Sequence, residues 1–446
     1  MTTLPRLLMA VFCVFAAGIA VFACSATPPS VAHQPQMVRP LATSDAAASD
    51  RWRPFGAETE GGLAGEIVRV TTLAASGPGS LRAALDVPRP RLIVFEVGGI
   101  IDLQGRTLTV RSPYVTIAGQ TAPDPGITLI RGGLVVETHD AIVQHLAVRP
   151  GDRRHDPAKE WAPDALGVRR AEHGPVHDVV FEHCSATWAV DENLSTSGPA
   201  DVDAGADPDI TAHDVTIRNC LIAEALSNAT HPKGEHSKGT LVHDGVRNVL
   251  ITGSLYAHNR ERNPRLKGGA TALLAENVMY DWGSACVGMG AKGNDKVLAP
   301  AEAILVGNVA IAGADTRKNP VFVRGLDPGA KAYLQDNVAV SATGTPLPLQ
   351  DESIVALPFA PVAAVDAWAS YARVLRLAGS RPARRDPIDA RIVQSVLDRT
   401  GRIIDSQEQV GGYPVRASTT RSLTVPQDVT ARRAWLAKLA AEVTGE

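Results

Sequence analysis

Eight stretches decide the fold: VTIAGQTA (115–122), AIVQHLAV (141–148), VVFEHCSA (179–186), VTIRNCLI (215–222), VLITGSLY (249–256), ALLAENVM (272–279), AILVGNVAI (303–311) and AYLQDNVAV (332–340). Each is a short apolar run, then one or two polar residues, then a second short apolar run. Aligned on their first residues, they put Gln120, Leu146, Cys184, Cys220, Ser254, Asn277, Asn308 and Asn337 in one column. They recur every 23 to 38 residues, roughly the period of solenoids. Short alternating strands with turns between them predict an all-β chain, a right-handed single-stranded parallel β-helix. Coils stacked about 4.8 Å apart let like residues form a ladder, as Asn277, Asn308 and Asn337 would. An ordinary α/β fold would need helices of ten or more residues between the strands. Gaps such as HPKGEHSKG lack helical periodicity. The irregular gaps read as loops of unequal length, where function would sit.

Outward from this core, the chain changes character at both ends. Residues 1–24 read as a signal peptide, with Arg6 ahead of an apolar run from Leu7 to Ala23. The run is slightly short for a membrane span, which takes about 20 apolar residues. VFAC (21–24) also resembles a bacterial lipobox, with Cys24 as the lipidated residue and Phe22 as a bulky departure. Both readings export the chain, as a secreted, periplasmic or outer-membrane-anchored protein, and membrane attachment is expected only through lipid on Cys24. Residues 25–55 are rich in Pro, Ala and Ser and read as a flexible tether. The solenoid spans 56–345. In 346–446, VAAVDAWASYARVLRLAG (362–379) and PQDVTARRAWLAKLAAEV (426–443) have a helical character, and this tail is expected to pack on the solenoid.

Across 446 residues the formal net charge is −3, which argues against general nucleic-acid binding. Cys184, Cys220 and Cys286 form no disulfide framework and no C-x-x-C, so buried thiols are expected and a zinc site is not. His213, His231, His236, His243 and His258 are scattered without H-E-x-x-H spacing, which argues against metal ligation by them. DVDAGADPD (201–209) reads as a solvated insertion, with calcium binding as the sharper alternative.

One segment stands out by charge. HNRERNPRLKGG (258–269) gathers Arg260, Arg262, Arg265 and Lys267 around Pro264. A solvated loop, an ion-pair node and an anion site all fit that composition.

The residues resemble a family. GPGSLRAAL (77–85), YVTIAGQTAPDPGITL (114–129), EHCSATWAVDE (182–192) and RNPR (262–265) are similar to bacterial pectate lyases of polysaccharide lyase family 1. RRDPIDARIVQSVLDRTGRIIDSQEQVGGYP (384–414) resembles the C-terminal segment of one branch, and the likeness runs in order over 60–415. It implies a parallel β-helix enzyme, a monomer, that cleaves polygalacturonate by calcium-dependent β-elimination. By the R-x-P-x-x-R pattern of that family, Arg262 takes the catalytic role. Lys267 stands where a second Arg is usual, and Arg265 is a further cation of the loop. Lys238, in HSKGTL, matches a substrate-binding lysine. Asp164 and Asp191 match calcium-ligand aspartates, and Glu192 shares the role. Ala162 replaces a further family Asp, which implies weaker calcium binding before substrate arrives.

Elementary chemistry agrees with that assignment. Elimination removes the weakly acidic proton beside a uronate carboxylate, so charge building there needs a cation. Arginine is a poor base because it hardly deprotonates. Bland alternatives exist for each residue: a solvated face for Arg262, Arg265 and Lys267, a turn cap for Asp164, a strand-end salt bridge for Asp191 and Glu192. Three other functions remain open from sequence: a non-catalytic polysaccharide-binding β-helix, a pectin lyase acting on methylated polymer, and a glycoside hydrolase with paired carboxylates.

Overall fold

A computed structural model describes residues 58–152, 161–170, 174–198, 211–290 and 299–446, all within the compact unit Val38–Glu446. The signal and tether calls, Cys24 and the 201–209 insertion lie outside the described residues.

The chain winds repeatedly through three sheets. One coil runs Val115–Ala118, Ile127–Ile130 and Leu134–Val136; the next runs Ala141–Gln144, Leu146–Arg149 and Leu166–Val168. First strands stack into an 11-stranded sheet 1, second strands into a 10-stranded sheet 2, third strands into an 8-stranded sheet 3. Among the described strands pairing is parallel, except where Thr419–Thr420 adds antiparallel to Val97–Asp102; an isolated antiparallel bridge joins Val340 to Pro346. This is a parallel β-helix. Its interior is a stack of aliphatic residues such as Val143, Val179, Val215 and Val249, all buried.

The repeat alignment coincides with the sheet 1 register: Val115, Ala141, Val179, Val215, Val249, Ala272, Ala303 and Ala332 are successive partners. The column also holds from Leu146 onward, because the sheet 2 strands beside it pair in that register. Its polar rungs bond edge to edge: Asn277 Nδ2 donates to Asn308 Oδ1 (3.0 Å) and Asn308 Nδ2 to Asn337 Oδ1 (2.8 Å). Cys184, Cys220 and Cys286 are buried free thiols. Gln120 does not belong to the column. A 3-10 turn, Gly119–Thr121, follows its strand, so Ile127 is the residue that pairs with Leu146. Gln120 instead donates to Gln144 Oε1 (2.8 Å).

The corner before the column is tight. His145, His183, Asn219, Gly253, Glu276, Gly307 and Asp336 all take positive φ there. Asn, Asp and Gly tolerate that region best, which explains much of the polar punctuation in the repeats.

Among the described residues four α-helices decorate the solenoid: α1 (Leu81–Leu85), α2 (Ala367–Leu377), α3 (Pro387–Asp398) and α4 (Val429–Thr444). Asp366, Asp386 and Asp428 cap the last three by accepting backbone N–H bonds. Helices α2 and α3 cover the outer face of sheet 2, where Val374, Ile392 and Val396 pack on Leu221, Leu255 and Val309. Buried Arg149 on sheet 2 pairs with Asp386 (2.6 Å) and Asp389 (2.8 Å) of the α3 start. Leu436 of α4 packs with Leu92 and Val94 of sheet 1. The outer face of sheet 3 is left without such a cover among the described helices, and the loops that enter sheet 3 form the site. No described helix is long and apolar enough to cross a membrane.

Candidate active site

Four successive coils send their sheet 2 to sheet 3 loops to one place. Asp164 precedes Leu166–Val168; Asp191 and Glu192 precede Leu194–Thr196; Lys238 precedes Leu241–Val242; Glu261 and Arg262 precede Arg265–Leu266. Parallel bridges join Glu192 to Lys238 and Lys238 to Glu261. Ala165 N donates to Glu192 O (3.1 Å), which extends the row to Asp164. Stacked coils thus align charges of unlike sign along one row. Lys238 Nζ lies 3.2 Å from Glu261 Oε2.

Asp164, Asp191 and Glu192 form the acidic end, with oxygens all within 4.8 Å of one another. Asp164 accepts from Glu192 N (3.0 Å) and Ser195 Oγ (2.9 Å). Burial, and then the charge of Asp191, push the Asp164 carboxyl up to about 7. Burial also raises Asp191, but the hydrogen bond from His236 and the charges of His236 and His231 outweigh it and hold Asp191 below the ordinary value. Glu192 Oε1 is buried. Its charge is met by the Arg262 guanidinium, whose Nη1 contacts it. Three crowded carboxylates, Asp164, Asp191 and Glu192, are a hard-oxygen donor set suited to a divalent cation such as calcium. Ala162, which stands where the family carries a further Asp, packs against the apolar cluster under α2 and α3.

The basic stretch 258–269 divides its cations. Arg262 takes a left-handed backbone (φ 63°). Its carbonyl accepts from Thr240 N (2.6 Å). Gly239 makes that approach possible, since a Cβ there would meet Arg262 O at 2.4 Å. Burial and neighbouring Arg265 pull the Arg262 guanidinium down to about 10, against the opposing pull of Asp191 and Asp164. Arg265 is lowered by burial and reaches Gly290 O (3.4 Å). The Nε atoms of Arg262 and Arg265 are buried without a hydrogen-bond partner. Lys238 is lowered by burial, and Glu261 opposes this. Arg260 turns to Glu235. Lys267, expected beside the substrate, has its Nζ in contact with the fully buried carboxylate of Asp244.

Asp164, Asp191, Glu192, Arg262, Arg265 and Lys238 are therefore brought together, while the Lys267 ammonium is engaged by Asp244. Three residues of the site went unassigned from sequence: Glu261, His231 and His236. The two histidines are not scattered here. Their rings stack 3.7 Å apart, and both face Asp191. Loop 224–240 between sheets 2 and 3 contains them. Its position one coil beyond Asp191 was the available signal, whereas linear spacing gave none.

Comparison with known proteins follows the same line. No protein-family profile matches the chain. A protein of Aspergillus terreus named Probable pectate lyase C is 32% identical over 379 residues, 80% of this chain and 79% of that protein. One of the same name from Aspergillus flavus is 34% identical over 286 residues, 64% of this chain. The chain spans 58% of the length of that relative. Among solved structures, Jun a 1, the major allergen of cedar pollen, aligns over 74% of this chain and 93% of its own, with a TM-score of 0.52 and 16% identity. That likeness supports the fold.

Proposed function

Since the chain belongs to the pectate lyase family, we propose that it cleaves polygalacturonate by β-elimination at the loops that carry Asp164, Asp191, Glu192, Lys238, Arg262 and Arg265. The observation that carries this reading is the meeting of Arg262 with the three carboxylates. We assign Asp164, Asp191 and Glu192 to calcium, as in family 1 of the polysaccharide lyases. Calcium bound there would supply positive charge that acidifies the proton beside a uronate carboxylate.

The chain's own residues do the remaining work. Arg265 and Lys238 face the polyanion as cations and fix a uronate carboxylate. Arg262 takes the C5 proton. The C5–H electron pair becomes the C4–C5 double bond as the C4–O bond breaks, and the departing oxygen acquires a proton. Arginine normally holds its proton too firmly for this. Burial and Arg265 ease it by lowering Arg262 to about 10, so the neutral form grows as pH rises toward that value. Export, read from Arg6 and the apolar run after it, suits a polymeric substrate too large to enter a cell.

Product analysis tests this reading. Mass spectrometry of digested polygalacturonate should show oligomers with an unsaturated non-reducing end. Saturated ends would mean hydrolysis, and unaltered polymer bound by folded protein would mean a binding β-helix.

A further inference from the structure

We infer that His236, assisted by His231, is a positioning residue that clamps Asp191 so that one carboxylate oxygen stays turned to the cation. The inference rests on the calcium reading above. It arises from an arrangement that neither histidine's position in the sequence discloses.

His236 Nε2 lies 2.6 Å from Asp191 Oδ1, and His231 Nε2 lies 3.7 Å from the same oxygen. The two rings are stacked at an interplanar angle of 9°. Both side chains are almost entirely buried, at 6% for His236 and 3% for His231. His231 Nδ1 accepts the Lys233 N–H (3.1 Å), so in the neutral ring the proton resides on Nε2, facing Asp191. That tautomer lacks a lone pair on the Asp191 side. His231 therefore faces Asp191 as a polar N–H and not as a ligand, and His236, at hydrogen-bond distance, holds the carboxylate oxygen directly. Because both imidazoles address Oδ1, Oδ2 is the oxygen left to join Asp164 and Glu192.

The clamp is held from outside the coil. His236 N donates to Ser227 O (2.8 Å), and Ser227 N donates to Ile404 O (2.8 Å) of the C-terminal segment. Asn228 N and Nδ2 both donate to Asp405 Oδ1 (2.9 and 3.0 Å). Thr230 Oγ1 donates to Trp161 O (2.9 Å). The tail that covers sheet 2 thus fixes the loop that orients a candidate ligand. Carboxylate orientation of this kind is how outer partners tune metal affinity.

The test is a titration of the full chain with calcium, or with terbium followed by luminescence, run beside the calcium activation curve. His236→Ala should weaken cation affinity about tenfold or more, while turnover at saturating calcium stays within about threefold of the wild type. His236→Gln, which keeps an N–H donor, should restore most of the affinity. His231→Ala should show a smaller loss, and gives the same readout should His236→Ala not fold. Equal affinity in folded wild type and the alanine variants overturns the clamp. So does a loss in His236→Gln as large as in His236→Ala, since packing would then be responsible. Wild type that binds calcium but releases no unsaturated product removes the lyase reading and leaves the clamp intact. Product formed with no calcium bound removes the clamp and leaves elimination standing.

Discussion

Two corners of the same coil behave in opposite ways. Between sheets 1 and 2, successive coils repeat like residues: Asn277, Asn308 and Asn337 bond to one another and to backbone. Between sheets 2 and 3, successive coils place unlike charges in one row: Asp164, Glu192, Lys238 and Glu261. A stack that only has to hold together repeats a group able to both donate and accept. A row of acids and bases, partly buried and crowded, gains nothing in stability from its crowding, because burial of charge is costly. Such a row is the mark of a site, and the ladder is the mark of a scaffold.

Substitutions should split along that division. The largest effect is expected for Arg262→Ala, with elimination activity lower by roughly a thousandfold, about 4 kcal/mol in barrier, and a small change in Tm. Asn308→Ala should do the reverse. It breaks the side-chain bonds to Asn277, Asn337 and the Leu274 carbonyl in a buried stack, so urea unfolding should reveal a loss of about 3 kcal/mol. Activity per folded molecule should be unchanged. A ladder variant that loses activity while stable would blur the distinction.

Acid stability probes the scaffold further. Glu182 bonds Arg218 (2.6 Å) and accepts from Gln144 Nε2 (2.7 Å). Burial raises its carboxyl, but Arg218, His183 and the Gln144 bond prevail and bring it to about 2. A depressed carboxyl contributes stability above its unfolded value, near 4.5, and that contribution fades as pH falls toward 2. Glu182→Gln should therefore remove about 2 kcal/mol at pH 7 and flatten the loss of stability between pH 4.5 and 2, read from Tm against pH. The smallest shift expected is in the pH profile of the site. Arg265→Ala removes a cation that fixes the uronate carboxylate, which lowers kcat/KM, and also a neighbouring charge that holds Arg262 down, so the rise of kcat/KM with pH should move upward.

The scaffold was far more legible than the site. Strand register could be read from Val115 to Ala332 because an apolar interior fixes which face each residue takes, and a one-residue slip would turn the whole set outward. Gln120 was misaligned because a 3-10 turn lengthens the loop before Ile127, and that turn has no apolar period to announce it. Helix α3 was left unassigned in sequence although Asp386 and Pro387 form a helix start. In the site, Asp164, Asp191, Glu192 and Arg262 could be nominated through motif likeness, and they converge because they sit at the same turn of three coils, Asp191 and Glu192 sharing one. Lys267 could not be judged. Whether it faces substrate depends on Asp244, 23 residues away and buried. His231 and His236 meet Asp191 through a loop fixed by Ile404 and Asp405, contacts that no local pattern encodes.

The most direct measurement follows the ultraviolet absorbance of unsaturated product from polygalacturonate. It compares wild type with calcium, wild type with a chelator, and Arg262→Ala with calcium. The account predicts a rise in the first case and almost none in the other two. An unchanged rise with chelator or with Arg262→Ala would contradict it, because the carboxylate trio and the guanidinium that meets it would then be dispensable.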